Sequence, residues 1–308
     1  MTIVARSLVA ALFSMMVVNV AQAQLAALGD VSASSDAEHF GALRLRAGAM
    51  LSYRSPFDYA GIAAQTTQYT QSGWQSDAPA VLVLWRRQRR DTLAGTIAEG
   101  GVVRVSGRTR LIGDATWSLR PTERTGVELL LAGDLVETRR ALERATAYTF
   151  ASASVESQLG ARFSAIGLVG GQRFTDGNAR LHLRARLVWM LVPQQGISAQ
   201  LRWRQYDSKQ TDVNDAYFNP ARYRQWDAGL ALRKRYRGWV WSGTLAAGRE
   251  TIDRATEHGT AIAELRTEGT LRKDIHVVLH ASYNRAAGFV AANGYWYRVA
   301  GVTVIVPF

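Results

Sequence analysis

Between residues 179 and 206 the side chains alternate with a period of two. Leu181, Leu183, Ala185, Leu187, Trp189 and Leu191 share one side, while Arg180, His182, Arg184 and Arg186 share the other. After a short break the pattern resumes, with Ile197, Ala199, Leu201 and Trp203 set against Ser198, Gln200, Arg202 and Arg204. A β-strand points successive side chains to opposite faces, so this is a pair of strands with one apolar and one basic face. For the apolar faces to coincide, even-numbered residues must pair with even-numbered ones. A three-residue loop at 194–196, with Pro193 opposite Ile197 and Gly196 supplying a left-handed residue, achieves that and places Arg186 opposite Arg204. Like charges directly opposite one another destabilise a sheet, so something must offset them. Candidates are the carboxylates of Asp227, Glu264 and Glu268, water in a wide lumen, or an anionic ligand. Arg266 shares the face of Glu264 and Glu268.

The same theme runs through the chain from Phe40 onward: alternating stretches followed by turn signals, as in barrel strands. Strands are predicted near 41–54, 61–74, 79–90, 93–104, 109–120, 126–136, 148–157 and 161–174. Further strands follow near 179–192, 197–206, 222–236, 239–250, 260–271, 275–284 and 295–308. An antiparallel barrel with both ends on one side needs an even number, and this set is odd. The glycine-rich region 93–120 is its weakest part. The expected architecture is all-β, an antiparallel transmembrane barrel of about 14–16 strands.

Two ends of the chain support that architecture. Residues 1–23 carry one early charge, Arg6, an apolar run from Leu8 to Val20, and Ala21-Gln22-Ala23, the pattern of a cleaved secretory signal peptide. Residues 24–39, small and polar around VSASSD, read as a short periplasmic lead-in, leaving 40–308 as the barrel. The last stretch, YWYRVAGVTVIVPF, is apolar at Trp296, Ala300, Val302, Val304, Val306 and Phe308. A terminal strand ending in Phe resembles the signal read by the barrel-assembly machinery, with Val304, Val306 and Phe308 as its core. With Phe308 at the periplasm, short turns fall at 273–274, 237–238, 194–196 and 159–160. Longer connections fall opposite, at 286–294, 252–259, 207–221 and 138–147. Trp85, Trp117, Trp189, Trp203, Trp226, Trp239, Trp241 and Trp296 lie near strand ends, where interfacial girdles form.

The chain has no cysteine, which excludes disulfides, thiolate metal sites and cysteine nucleophiles. Its net charge of +12 points to anionic partners, and in an exported protein nucleic acid is not among them. Arg139, Arg140, Arg144, Arg254 and Arg298 are expected at the external rim, facing lipopolysaccharide phosphates and taking about half of the surplus charge. No catalytic, cofactor-binding or metal-binding motif is present, and no cofactor is expected. His276 and His280 would lie about 13 Å apart on one strand face, too far to share a metal. His280 and Ser282 are about 7 Å apart, too far for a nucleophile–base pair. Asp176-Gly177-Asn178 lacks the remaining ligands of a calcium loop.

The loop DVNDAYFNPARY, with Tyr217, Phe218, Asn219 and Tyr223, is the most distinctive irregular stretch; it suits a constriction, a sugar-stacking platform or a self-packed external loop. At YFNPARY, in the Arg-rich alternating strands and at the VTVIVPF end, the chain resembles the C-terminal barrels of exopolysaccharide-export proteins. Those are the porins for cellulose and poly-N-acetylglucosamine, and the related YaiO-type barrels. The resemblance implies a Gram-negative outer-membrane barrel of roughly 14 to 16 strands that passes a polymer chain. Such exporters usually carry a long periplasmic helical-repeat region before the barrel, where this sequence has only the short lead-in; either a separate periplasmic partner supplies that part or this barrel does another job. The expected function is therefore passage of a polysaccharide or anionic solute, and not catalysis. An envelope enzyme acting on lipid A or envelope polymers, and a closed structural or adhesion barrel, are the alternatives.

Overall fold

In a computed structural model, residues 24–210, 212–213, 216–253, 257–272, 274–286 and 295–308 are described. The signal-peptide stretch 1–23 lies outside them, as do Arg254 and Lys273. Sixteen strands close into one antiparallel barrel in which each strand pairs with its sequence neighbours and the first pairs with the last. They are β1 (Gln24–Asp36), β2 (Gly41–Ser55), β3 (Asp58–Gln71), β4 (Trp74–Gln88), β5 (Gly95–Val105), β6 (Arg108–Thr122), β7 (Thr125–Leu135) and β8 (Ala147–Gln158). The circuit continues with β9 (Phe163–Phe174), β10 (Ala179–Val192), β11 (Ile197–Ser208), β12 (Arg222–Tyr236), β13 (Trp239–Ile252), β14 (His258–Leu271), β15 (Ile275–Arg285) and β16 (Trp296–Pro307). One helical turn, α1 (Arg139–Glu143), lies between β7 and β8.

The stretch read as a periplasmic lead-in is β1. Its residues 26–36 pair with β16 and 26–35 with β2, so it is the strand that makes the number even. Region 93–120, the weakest part of the sequence reading, holds two ordinary strands instead. The sequence of β1 hides its role because its inward residues beyond Leu28, which are Asp30, Ser32, Ser34 and Asp36, are small and polar. Its outward side still alternates through Leu25, Ala27, Gly29, Val31 and Ala33. At the seam the Thr303 hydroxyl donates to Asp30 Oδ2 at 2.5 Å, and the Phe308 N–H donates to the Leu25 carbonyl at 2.9 Å.

The outer surface is an apolar belt. Leu45, Ile62, Val81, Leu111, Leu129, Val169, Leu187, Leu201, Leu230, Leu245 and Leu265 stand exposed on it, Leu111 at 77% and Leu245 at 68%. Such a surface is stable only in lipid, and a closed barrel leaves no backbone group unpaired there. Aromatic residues flank the belt. Trp189 stacks on Phe163 at 5.7 Å near the end that holds Phe308, and Trp203 packs on Trp226 at 5.9 Å near the other. Arg298 lies in the second band, its guanidinium 5.1 Å from the Trp296 ring and bonded to Ser35.

The end that holds Phe308 carries the tight connections 123–124, 193–196 and 237–238; the opposite end carries 136–146, 209–221 and 286–295. The sorting holds in the C-terminal half. In the N-terminal half the loop end is low, closed by two-residue turns at Ser72-Gly73 and Ser106-Gly107, all four residues at positive φ.

A 16-stranded barrel is too wide for wall side chains alone to fill. Here one side of the interior is nonetheless filled. In β4 both faces are apolar, so Ala78, Ala80, Leu82 and Leu84 point inward. Leu28, Met50, Ala63, Leu82, Leu84 and Ile305, drawn from β1, β2, β3, β4 and β16, form a buried apolar cluster toward the Phe308 end. Toward the loop end Leu142 and Ala145, in and just after α1, pack against Tyr69, Ala80, Val103 and Val105.

If β1 closes the barrel, deleting residues 24–36 leaves β2 and β16 as open edges in lipid. The deletion is expected to abolish the heat-dependent shift in gel mobility that marks a closed barrel. Retention of the shift would mean that this stretch is dispensable.

Candidate functional site

The interior wall from β10 to β14 is polar and basic. Alternation and pairing put Arg180, Arg184 and Arg186 of β10 on the inner face, with Arg202 and Arg204 of β11, Asp227 of β12, and Glu264, Arg266 and Glu268 of β14. The β10–β11 register differs from the sequence reading by two residues. Arg184 lies opposite Arg204, and Arg186 opposite Arg202. The cause is local. A 3-10 turn at Pro193–Gln195, with Gly196 left-handed at φ 69°, is followed by pairing of Val192 with Ile197, and a bulge absorbs Leu191. The result is two like-charged pairs stacked about 7 Å apart along the strands.

The neighbouring carboxylates offset these charges only in part. Glu264 reaches Arg202 at 3.5 Å. Glu268 bonds Arg266 on its own strand at 3.1 Å. Asp227 stands opposite Arg202 in the ladder, but its carboxylate accepts from Gln225 Nε2 and, at 2.6 Å, from the Thr260 hydroxyl. Arg204 turns the other way. It donates to Gln225 Oε1 at 2.5 Å and to the Tyr223 hydroxyl at 2.9 Å, with that hydroxyl 2.6 Å from Glu250. Tyr223 is thus the start of β12 and part of a buried inner-wall network, not a loop residue. Arg184 and Arg186 make no hydrogen bond or ion pair among the described residues, and both remain partly open to the interior.

Above this wall the loop at 209–221 is pinned into the mouth. Asn178, 0% exposed, donates to the Tyr217 hydroxyl at 3.1 Å and to Asn219 Oδ1 at 2.8 Å, and accepts from the N–H groups of Ala179 and Gln210. The Tyr217 hydroxyl donates in turn to Asp176 at 2.8 Å, and burial pushes its pKa up. Asp176-Gly177-Asn178 is therefore a clamp for this loop. Arg180 lies among the rings of Phe174, Tyr206 and Tyr217, at 4.8, 5.1 and 5.3 Å, and bonds the Phe218 carbonyl and Asn219. Phe218 meets Tyr223 edge-on.

This loop touches the one that carries α1. The Thr138 hydroxyl donates to the Ala216 carbonyl at 2.5 Å. Glu137, beside it, accepts from Arg44 at 2.9 Å and from the Tyr69 hydroxyl at 3.2 Å; burial pushes its carboxyl up, against the opposing pull of Arg44. Below the junction is a space of about 500 Å³ reached by Arg44, Tyr148, Gln172, Arg180 and Tyr217. The two loops thus form a bridge over part of the mouth, while the α1 side of the lumen is held by ion pairs such as Arg46–Glu99 at 2.8 Å.

His276 and His280 face inward on β15, and the His280 ring lies over Gly301, where a Cβ would come within 2.5 Å of it. Among the described residues no cluster of three His, Asp or Glu side chains is arranged to hold a metal. Val304 and Val306 lie on the outer face of β16, and the Phe308 side chain is 74% exposed at its end.

Among solved structures, the barrel is similar to one described as a bacterial polysaccharide outer membrane secretin. The TM-score is 0.65 at 12% identity, over 92% of this chain and 99% of that one. It is also similar to the outer membrane protein OprD from Pseudomonas aeruginosa, with a TM-score of 0.46 at 12% identity over 93% and 94% of the two chains. No protein-family model matches the chain, and no curated protein matches its sequence. The fold is that of the outer-membrane β-barrels.

Asn178→Ala removes the centre of the clamp and takes the side-chain acceptor away from the N–H groups of Ala179 and Gln210, at a cost of about 1–3 kcal/mol. The variant barrel is expected to keep its heat-modifiable mobility while the 209–221 loop becomes readily cleaved by added protease. Unchanged resistance to cleavage would mean that the loop is held elsewhere.

Proposed function

We propose that this chain is an outer-membrane pore that passes an anionic solute or an anionic polysaccharide chain. The reading is carried by the four arginines Arg184, Arg186, Arg202 and Arg204, set as two facing pairs on the inner wall. A sheet tolerates such pairs when an anion completes them, and arginine forks match carboxylate, sulfate and phosphate oxygens. In a water-filled lumen a cationic lining raises the local concentration of anions and lowers that of cations. The likeness of fold to a polysaccharide secretin supports a polymer as cargo.

A second reading, a closed barrel, is favoured by the Thr138–Ala216 bridge and the apolar cluster that fills one side of the interior. It predicts no steady conductance. The envelope-enzyme reading would need a nucleophile–base or carboxylate cluster at one rim. Ser282 instead faces Glu264, and His280 faces Arg266.

The purified barrel in planar bilayers is expected to conduct, with a reversal potential that favours anions over cations. Arg184→Glu combined with Arg186→Glu is expected to move that reversal potential to the cation side. Conductance with unchanged selectivity would make the arginines structural, and absence of conductance would favour the closed barrel.

A further inference from the structure

The surplus positive charge is not spread over the molecule. The connections at the Phe308 end, taken with the strand residues within four positions of them, hold thirteen described basic residues against seven carboxylate side chains, Asp58, Asp91, Glu123, Glu128, Glu156, Glu268 and Asp274. The loop end carries nearly as many carboxylates as cations. The expectation that about half of the surplus sits at the external rim is therefore corrected: the opposite end carries the larger share of it.

Three features of this basic rim matter. The first is direction. Arg120 of β6 and Arg233 and Arg235 of β12 are on the inner face, so they point at the lumen and away from lipid. The second is the shortage of partners. Arg120 reaches Glu156 at 3.3 Å, but Arg124, Arg162, Arg233 and Arg235 have no side-chain ion pair among the described residues. Arg120, Arg124 and Arg162 surround a small space at the mouth together with Glu123 and Glu156. The third is continuity. Arg233 and Arg266 stand level on β12 and β14, both opposite Ser242 of the strand between them, so about 10 Å separates their backbones. Further up the wall comes Arg202, six residues along the β12 ladder from Arg233, or about 20 Å. Arg184 and Arg204 follow, and then Arg180. The rim is the wide base of a cationic track that runs the height of the wall.

The chemistry of these cations narrows the partner. The chain has only three lysines among its 37 basic residues, and Lys234 is the single lysine among the described rim cations. Arginine binds oxyanions through two parallel N–H groups and holds its charge throughout the physiological range. Inward-facing arginines at successive heights suit an extended chain with repeated oxyanions better than a flat layer of lipid head groups.

We propose that the rim at the Phe308 end is the capture surface for a polyanionic chain, a uronate-type or sulfated polysaccharide, which threads from there toward the Arg184–Arg204 pair. The proposal rests on the pore reading, because it names where the cargo is first held. Capture at this end is ionic-strength dependent and precedes the selectivity step in mid-wall.

The test is equilibrium binding of fluorescein-labelled polygalacturonate to the full-length barrel in zwitterionic detergent, followed by anisotropy at low salt. Binding is expected for the wild type and to weaken with added salt. Arg233→Glu with Arg235→Glu, and separately Arg124→Glu with Arg162→Glu, are each expected to weaken it by about tenfold or more, as charge-assisted contacts become repulsive. Arg104→Glu with Arg285→Glu at the loop end is expected to change it by less than about twofold. Heat-modifiable mobility shows that each variant is folded. Equal binding by the rim variants, or an equal loss in the loop-end variant, overturns the proposal. So does a rim variant that loses only its binding to anionic vesicles, since the rim would then serve lipid. None of these outcomes touches the pore reading, which fails separately, through absent conductance.

Discussion

Everything in this molecule depends on the pairing of backbone groups inside an apolar layer. A peptide N–H or C=O left open to lipid costs several kcal/mol, so a sheet there must have no edge. The pairing of β1 with β16 meets that demand, and it fixes the parity of every other strand. Once Leu28 faces in and Val31 faces out, the alternation around the circuit decides which side of each strand meets lipid and which meets the lumen. The basic wall of β10 and β11 follows from the same constraint: its apolar residues are needed outside, so its arginines have nowhere to go but inward.

The interior is then divided by what the inward residues happen to be. On the β1–β5 side they are largely apolar or matched, and they pack with one another and with the residues around α1. Arg46 is held by Glu99 and Gln65, and Arg44 by Glu137, so the cations on that side are neutralised in place. On the β10–β12 side Arg204 is tied to Gln225 and Tyr223, yet Arg184 and Arg186 have no such anchor. The asymmetry puts the open, charged part of the lumen on one flank. The loop bridge through Thr138 and Ala216 lies across the mouth above it.

How much of this could be read in the sequence depended on how many constraints each stretch carried. Strands with one clean apolar face, such as β10, were legible to within a residue or two, because a period of two admits little else. The inward direction of Arg184 and Arg202 followed from that parity alone. Their pairing did not, because the turn closes at Val192–Ile197 rather than Pro193–Ile197 and the bulge at Leu191 adds a second residue, a shift of two that changes the partner and keeps the face. Strand β1 escaped because Asp30, Ser32 and Ser34 look like linker until their lumenal position is known; the alternation of Leu25, Ala27, Val31 and Ala33 was the signal that could have found it. In β4 both faces are apolar, so nothing local says that Leu82 and Leu84 fill the interior. The roles of Asn178 and Tyr217 depend on contacts about forty residues apart, which no local pattern encodes.

The seam has a consequence for how this molecule comes to exist. Each of the other strand pairs joins segments close in sequence and can form as a hairpin. The closing ladder joins Ala27 to Val306 and Val31 to Val302, nearly the whole length of the chain. Contacts of such high sequence separation form slowly, and their loop entropy is met only when the ladder is complete. Until that moment the sheet is a curved ribbon with two sticky margins, prone to pair with any other strand it meets. The time for which those margins stay open, rather than the strength of any single contact, then sets how much of the chain reaches its final form.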